Sequence, residues 1–284
     1  MPAFAYRIVN VFVDPASPQS RLTGNPLCVF EDARGIDAAT QQALALQFNL
    51  SETVFVLPSA KATARIRIYT PAFEMPFAGH PTLGSAHVVR ALTGAGDSLT
   101  LETGSGVIPV RANGDHWTLT ANAPKTRALD LSNDAFVSLM GLDATDLRET
   151  PLWVNTGNEQ LLAPLASADA IRRCRPDPAR MAALTHAGGT PKIYVWAELG
   201  NDELLARFFL LKHGALLEDY GTGSAAANLG GWFVARQASL PVKRMIHQGE
   251  PIGRPARVAL EVDASGGIHV SGQVIELGAG SVEI

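Results

Sequence analysis

The sequence has few cysteines and no segment typical of an exported or membrane protein. Two cysteines in 284 residues are too few for a disulfide framework or a cysteine-based zinc site. The N-terminus lacks a charged region followed by an apolar one, so no signal peptide is predicted. No stretch of about 18 apolar residues is present to span a membrane. These absences predict a cytoplasmic protein that does not contact a membrane.

The sequence also lacks an excess of positive charge. Its formal net charge is -4 and no basic run is present, so nucleic acid is not expected as a partner. Hydrophobic residues make up 46% of the chain and charged residues 18%, which is typical of an ordinary folded protein. The length allows one large domain or two of ordinary size.

Common nucleotide-binding, hydrolase and metalloprotease motifs are absent as well. The glycine-rich string that begins at Gly221 lacks Gly-x-Gly-x-x-Gly spacing, and its surroundings do not form a βαβ pattern. The chain has no Gly-x-Ser-x-Gly elbow, no phosphate-loop lysine and no His-Glu-x-x-His. We therefore predict no metal site, and no motif points to a nucleotide cofactor.

Local patterns predict a mixed α+β protein. β-branched and aromatic residues predict strands over residues 6–14, 27–30, 53–57, 65–69, 99–102, 107–110 and 117–121. Asp37 is predicted to cap a helix over residues 38–48, where helix formers predominate although Gln41 interrupts the apolar face. A second helix is predicted over residues 81–92, and its small residues would let it pack closely against strands.

The two halves of the chain resemble each other. A shift of 139 residues places Gly84-Ser-Ala86 on Gly223-Ser-Ala225 and His80 on Asp219. Further repeated segments are Thr23-Gly-Asn25 with Thr156-Gly-Asn158 and Leu101-Glu102 with Leu260-Glu261. Because these segments recur in the same order, they predict an internal duplication.

The duplication predicts two domains, residues 1–124 and 125–284. The boundary falls near Pro124, where the strand pattern is interrupted. Each domain is predicted to be a mostly antiparallel, curled sheet around one helix of small residues. The matched helix starts would then form two walls of a cleft.

Three titratable residues are candidates for chemistry. Glu52 opens a strand among apolar or small residues, where a raised pKa would let its carboxyl both donate and take a proton; the alternative is an exposed loop glutamate. His80 precedes Pro81 at a predicted helix start, and its alternative is a structural or solvated histidine. Asp219 is its partner in proton transfer, the N-cap of a helix from Thr222 onward, or both.

Glycines and a serine at the two helix starts are candidates for substrate binding. The backbone N–H groups of Gly79 and Gly223 and the hydroxyl of Ser224 would bind a carboxylate or an enolate-like oxygen. The alternative is that these glycines serve only tight turns and close helix packing.

Several short motifs together resemble one known family. They are Val9-Asn-Val-Phe12, Thr23-Gly-Asn-Pro26, Ser51-Glu-Thr-Val-Phe55, Phe77-Ala-Gly-His-Pro-Thr82, Glu218-Asp219 with Thr222-Gly-Ser-Ala225, and Gln248-Gly-x-x-x-Gly-Arg-Pro255. Over essentially its whole length the chain resembles the PhzF family of phenazine-biosynthesis-type proteins. The resemblance implies a diaminopimelate-epimerase-like fold with two pseudo-symmetric domains, barrel-like sheets around central helices, an active site between the domains, and a homodimer.

The resemblance also implies a reaction. The family's best-understood member is an isomerase that moves a proton on dihydro-3-hydroxyanthranilate without a cofactor, using a glutamate as acid and base. By resemblance, that role falls on Glu52. The matching active-site positions are His80, Asp219 and Ser224, with Gly79 and Gly223 in the substrate-gripping turns. A cofactor-independent isomerase of a small carboxylic acid is therefore the predicted function.

Departures from the family pattern leave the substrate open. Tyr220-Gly221 stands where the family commonly has Pro-Ala, and Lys212-His-Gly214 replaces a proline-containing turn. Neither helix start contains cysteine, so a two-thiol racemase is not expected. Two alternatives stay open: an epimerase or racemase of an amino-acid-like substrate that uses carboxylate and imidazole, and an inactive metabolite-binding or interaction protein of the same fold.

Overall fold

A computed structural model describes residues 1–184, 191–212 and 214–284. Its contacts divide the chain into two compact units, residues 1–120 with 271–284, and residues 121–270. The predicted domains, 1–124 and 125–284, differ from these units mainly at the C-terminus, because the last strand pairs with the first strand of the chain. His213, in one of the departures from the family pattern, lies outside the described residues.

The first unit begins with strands and two helices in the order that the sequence predicts. Its elements are β1 (Ala3–Val11), β2 (Asn25–Phe30), α1 (Ala38–Phe48), β3 (Glu52–Leu57), β4 (Ala64–Tyr69), β5 (Glu74–Met75), α2 (Gly79–Thr93), β6 (Ser98–Thr103), β7 (Gly106–Asn113) and β8 (His116–Thr120). The Asp37 carboxylate accepts a hydrogen bond from Thr40 N, which confirms the predicted cap of α1. Gln41 is buried, and its amide nitrogen donates a hydrogen bond to Ile36 O, which satisfies the donor side of this polar residue within the core.

The second part of the chain continues with more strands and shorter helices. They are β9 (Lys125–Ala128), α3 (Asn133–Met140), β10 (Leu152–Asn155), β11 (Gln160–Pro164), α4 (Ala168–Arg173), α5 (Pro178–Ala182), β12 (Lys192–Gly200), β13 (Glu203–Lys212), β14 (Ala215–Asp219), α6 (Gly223–Ala235), β15 (Val242–Gln248), β16 (Ala256–Val262) and β17 (Ile268–Glu283).

The first unit is a closed barrel of eight strands around α2. Strand β1 pairs antiparallel with β2 and β17, β2 runs parallel to β3, and β3 pairs antiparallel with β4. The barrel continues through β4, β6, β7 and β8, and β8 pairs with β17. Helix α2 contacts six of these strands, and ten of its residues are buried.

A glycine lets α2 approach the strands closely. A Cβ atom at Gly84 would lie 2.7 Å from Leu27 Cδ2 and 3.0 Å from Val11 Cγ2, nearer than real side chains pack. The expectation that small residues on this helix allow close packing is confirmed, and only glycine fits at this position without displacing its neighbours.

The second unit repeats the pairing pattern of the first. Strands β10 and β11 are antiparallel, β11 and β12 parallel, and β12 and β13 antiparallel. Strand β13 then pairs with both β14 and β15, as β4 pairs with β5 and β6, and β15 pairs with β16. Helix α6 contacts β10, β11 and β16. The predicted α+β fold of two pseudo-symmetric halves, each with a central helix, is confirmed.

The pairing of His80 with Asp219 is wrong. Helix α2 begins at Gly79 and α6 at Gly223, an offset of 144 residues (223 minus 79), so the residue equivalent to His80 is Ser224. Asp219 instead ends β14. The shift of 139 residues matched Gly84 with Gly223, two glycines with different functions, because one packs a helix against strands and the other starts a helix.

Two other glycines support the corrected alignment. A Cβ at Gly104, after β6, would lie 2.9 Å from the backbone of Pro76, three residues before α2 begins. A Cβ at Gly249, after β15, would lie 2.5 Å from the carbonyl oxygen of Tyr220, three residues before α6 begins. The same supporting contact therefore precedes the central helix in both units.

Candidate active site

Glu52 is placed at the first position of β3. Asn49 ends α1 in the left-handed conformation with φ 51°, and the chain then enters the strand, where Glu52 lies opposite Leu27 of the parallel strand β2. Only 16% of its side-chain surface is exposed. Glu52 is therefore a partly desolvated carboxyl at a strand start and not an exposed loop residue.

The Thr-Gly-Asn motif supports the residue before Glu52. Thr23 Oγ1 accepts a hydrogen bond from Asp14 N. Gly24 has a φ of 75° and packs against the backbone of β1, so that a Cβ atom there would lie 2.4 Å from Val11 O. The buried Asn25 then accepts a hydrogen bond from the Ser51 hydroxyl at 3.2 Å. Through this hydrogen bond, the start of β2 holds the last residue of the loop that connects α1 with β3.

His80 is the second residue of α2 and lies beside Glu52. Its Nε2 is 3.4 Å from Glu52 Oε2, and 7% of its side chain is exposed. Both of these atoms are buried from solvent. At this separation a carboxyl and an imidazole interact electrostatically, and burial strengthens that interaction. The structure brings together two of the predicted catalytic residues within the first unit.

The first turn of α2 also presents backbone donors. Ala78, at the N-cap, makes no side-chain cap, and Thr82 N donates to Ala78 O. By helix geometry the N–H groups of Gly79 and His80 receive no partner from within the helix. They lie in the helix turn that carries the imidazole, where a helix start favours negative charge.

Asp219 is not the N-cap of α6. Thr222 occupies that position, and its hydroxyl donates a hydrogen bond to Asp219 Oδ2. The Gln248 amide donates to Thr222 Oγ1 at 2.9 Å and to Asp219 O at 3.0 Å, while Thr222 N donates to Gln248 Oε1 at 3.2 Å. Asp219 is thus held on the turn between β14 and α6 by a buried glutamine.

The glycine after this glutamine explains the Gln-Gly-x-x-x-Gly motif. Gly249 has a φ of 80°, and a Cβ there would lie 2.3 Å from Arg254 O and 2.5 Å from Tyr220 O. The loop after β15 therefore packs directly on the backbone beside Asp219. The motif supports the turn structurally, a function that the sequence pattern alone did not indicate.

Ser224, the second residue of α6, is part of a polar network in the second unit. Gln160 Nε2 donates to Ser224 Oγ at 2.9 Å, and Asn228 Nδ2 donates to Gln160 Oε1 at 2.9 Å. Gln160 and Asn228 are fully buried. Sequence reasoning missed Gln160 and Asn228, and it quoted Gln248 in a family motif without a role. The available signal for the first two was an amide side chain at the edge of an apolar strand or within an alanine-rich helix.

Each of the two cysteines is buried in a hydrophobic cluster. Cys28 is in β2 and Cys174 follows α4, and each is fully buried among apolar side chains. Burial raises the pKa of the Cys174 thiol to about 12 and also raises the pKa of Cys28. Neither cysteine lies at the start of a central helix, where a two-thiol racemase would need one.

Across residues 1–184, 191–212 and 214–284, no group of three or more His, Cys, Asp or Glu side chains is arranged to hold a metal ion. Within the same ranges, every helix is too short or too polar to cross a bilayer.

Most of the chain matches one family of known proteins. The family model PhzC-PhzF, described as phenazine biosynthesis-like protein, matches residues 14–279. The chain belongs to this family. The resemblance seen in its short motifs is confirmed by a match that includes both units.

Several relatives of the chain are named isomerases. A protein of Pasteurella multocida described as an uncharacterized isomerase is 36% identical over 282 residues, 98% of this chain and 94% of the relative. The trans-2,3-dihydro-3-hydroxyanthranilate isomerase of Pseudomonas aeruginosa is 33% identical over 263 residues, 88% and 91% of the two chains. The prediction of an isomerase is confirmed.

Solved structures confirm the fold class. A PhzF-family phenazine biosynthesis protein of Bacillus anthracis has a TM-score of 0.86 at 24% identity, and all of both chains is covered. A hydroxyproline epimerase of Agrobacterium vitis has a TM-score of 0.64 at 11% identity, covering 99% of this chain and 92% of that one. At these identities the similarity shows the fold alone.

Proposed function

We propose that this isomerase moves a proton between two carbons of a small carboxylic acid, with Glu52 as the general acid and base. The supporting observation is the contact of 3.4 Å between Glu52 Oε2 and His80 Nε2, both buried, at the start of a central helix. Membership of a family with named isomerases supports the reaction class.

The chemistry balances with one carboxylate. Glu52 takes a proton from a carbon, and the electron pair of the broken C–H bond forms a new double bond. The electron pair of the former double bond then takes the proton from Glu52 at the distal carbon. His80 holds the carboxyl in position and stabilises its charge, and no group is oxidised or reduced.

Binding of the substrate completes the proposal. The N–H groups of Gly79 and Gly223 and the hydroxyl of Ser224 bind its oxygens, and Asp219 binds a polar group or takes part in proton transfer. The support for these roles is the match to family motifs and the helix-start positions of Gly79, Gly223 and Ser224. The substrate class proposed is a dihydro-hydroxyanthranilate-like acid, the class named for the Pseudomonas relative.

Three further features belong to the proposal. They are independence of a cofactor, a homodimer, and location in the cytoplasm, as the motif resemblance and the composition led us to expect. Light scattering of the purified protein tests the dimer. Turnover by protein that has been dialysed against a chelator and shown to be free of chromophores tests cofactor independence.

The test of the reaction is turnover of trans-2,3-dihydro-3-hydroxyanthranilate in D₂O, followed by NMR. We expect migration of the double bond with deuterium at one carbon. Glu52→Gln should lower turnover about 10²- to 10⁴-fold, the usual contribution of a general acid or base. Glu261→Gln is the control, because Glu261 is a half-exposed surface carboxylate paired with Lys243.

The outcomes separate the alternatives. Full activity of folded Glu52→Gln would contradict the role of Glu52. Deuterium exchange with inversion at a single carbon of an amino-acid-like substrate would identify an epimerase. Binding of an acid without exchange of any carbon-bound proton would identify a binding protein.

A further inference from the structure

A chain of buried hydrogen bonds runs from the backbone of Thr156 to Ser224. Thr156 N donates to Asn228 Oδ1 at 2.8 Å, and the Thr156 hydroxyl donates to the same oxygen at 2.7 Å. Asn228 Nδ2 donates to Gln160 Oε1 at 2.9 Å, and Gln160 Nε2 donates to Ser224 Oγ at 2.9 Å. All of these residues lie in the second unit.

The direction of every bond in this chain is fixed by two backbone groups. A backbone N–H can only donate, so the group of Asn228 that faces Thr156 N must be the oxygen. A carbonyl oxygen can only accept, so the group that lies 2.8 Å from Asn158 O must be the amide nitrogen of Asn228. The two anchors agree, and they leave one orientation for the Asn228 side chain.

The orientation of the Asn228 amide also determines how Ser224 is hydrogen-bonded. Because Gln160 Oε1 receives a hydrogen from Asn228, the Gln160 amide nitrogen is the group that faces Ser224 Oγ. The serine oxygen therefore accepts this bond, and its own hydrogen is left to donate elsewhere. We infer that Asn228 and Gln160 are positioning residues that hold the Ser224 hydroxyl as a hydrogen-bond donor to a carboxylate or enolate oxygen of the substrate.

The first unit shows that the fold does not need this polar pair. By the alignment of the two units, Gly84 stands where Asn228 does, and Leu27 stands where Gln160 does. There the contact is apolar, with a Cβ at Gly84 lying 2.7 Å from Leu27 Cδ2. Burying two amides costs free energy unless their hydrogen bonds are made, so packing alone does not account for them.

This inference rests on the proposed function, since it assumes that Ser224 contacts the substrate. It adds a specificity rule: the substrate group at Ser224 must be an acceptor. A reversed network would turn the serine hydroxyl away and offer only lone pairs, which repel a carboxylate. Two different substitutions reverse the network, and each acts at a different residue.

The first variant is Gln160→Glu. Its carboxylate still accepts from Asn228 but can no longer donate, so the Ser224 hydroxyl should donate to residue 160. The second is Asn228→Asp, which offers only acceptors, so the Gln160 amide should turn over and present its oxygen to Ser224. The second variant leaves Gln160 and Ser224 unchanged in sequence, so it tests whether Asn228 sets the orientation of the Gln160 amide. It also provides a test if the first variant fails to fold.

The probe is 3-hydroxyanthranilate, the aromatic and unreactive counterpart of the substrate proposed above, titrated by calorimetry. We expect Gln160→Glu and Asn228→Asp to weaken its binding about 10- to 100-fold, as for loss of a hydrogen bond to a charged group. KM for the reactive substrate should rise with a smaller change in kcat. In a Ser224→Ala background, either substitution should have less than about a twofold further effect.

The results distinguish the inference from the proposed function. If the wild type neither binds the probe nor turns over the substrate, the proposed substrate class is wrong, and the inference falls with it. If the wild type binds the probe but a folded Gln160→Glu or Asn228→Asp binds equally well, only the inference is overturned. The inference would also be overturned if the substitutions weakened probe binding equally in the wild-type and Ser224→Ala backgrounds. Gln160 and Asn228 would then affect binding through the structure and not through the Ser224 hydroxyl.

Discussion

Glu52 and Lys192 occupy equivalent positions in the two units. Glu52 begins β3 opposite Leu27 of a parallel strand, and Lys192 begins β12 one residue before Ile193, which lies opposite Leu161 of the parallel strand β11. Lys192 Nζ lies 3.0 Å from Asn158 Oδ1. A carboxylate thus stands in one unit where an ammonium stands in the other, so the duplicated scaffold carries opposite charges at one position.

The glycine that supports the Asp219 turn should not tolerate a side chain. Gly249→Ala would place a methyl group 2.3 Å from Arg254 O at a φ of 80°, and we expect a loss of about 2–4 kcal/mol of unfolding free energy. Gly253 is the matched control, because its φ is 73° and its Cβ would meet nothing within 4 Å. Urea titration should show a loss of only about 1–2 kcal/mol for Gly253→Ala; equal losses would contradict the steric explanation.

The two acidic residues of the Glu218-Asp219 motif should affect different properties, with Glu218 needed for stability and Asp219 for turnover. Glu218 forms two hydrogen bonds with Arg207 at 3.0 and 2.7 Å, and both side chains are more than 90% buried. Glu218→Gln should cost about 3–5 kcal/mol of stability, because a buried guanidinium loses its counter-charge.

Asp219→Asn is the matched variant for this motif. Its amide oxygen still accepts from the Thr222 hydroxyl, so we expect a much smaller change in unfolding free energy and a large loss of turnover. Parallel urea titrations and kinetic assays measure both effects. A large stability loss in Asp219→Asn with normal activity of the folded fraction would reverse these assignments.

His87 on α2 should make stability depend on pH. Burial lowers the pKa of His87 below its ordinary value of 6.5, the nearby Arg90 lowers this pKa further, and Asp115 partly offsets both. The unfolded chain therefore binds a proton more readily than the folded one. Its contribution to stability is present above pH 6.5 and is lost as the pH falls below that value.

A variant isolates this contribution. In His87→Gln the decrease in unfolding free energy between pH 7 and pH 5 should be smaller than in the wild type, because one titrating group has been removed. Urea titrations at half-unit pH intervals measure the difference. A steeper decrease in the variant would mean that the pKa of His87 is raised in the folded protein.

The two thiols should be inert in the folded protein. Both cysteines are fully buried and burial raises their pKa values, that of Cys174 to about 12, so little thiolate exists at neutral pH. A thiol-reactive dye should label neither residue until urea unfolds the chain. Cys28→Ala and Cys174→Ala should keep the turnover of the wild type per folded molecule; loss of turnover in either would point to thiol chemistry.

Local structure followed from the sequence where local interactions decide it. Helix α1 has the predicted bounds, because Asp37 caps it and helix formers fill it, and β3 and β4 begin within one residue of prediction. The order of motifs was enough to predict the family, the duplicated fold and the isomerase class. Glu52 and His80 were also predicted, since each stands in a short family motif.

What the sequence could not determine was which residues meet. The alignment of the two central helices was five residues off, because the identity of a glycine does not reveal whether it starts a helix or packs against a strand. Gln160 and Ser224 are 64 residues apart along the chain, and no local pattern links them. The sequence by itself determined the elements, the family and the candidate base; only the tertiary structure decided the partners of those residues, since hydrogen bonds and close packing depend on distances that folding sets.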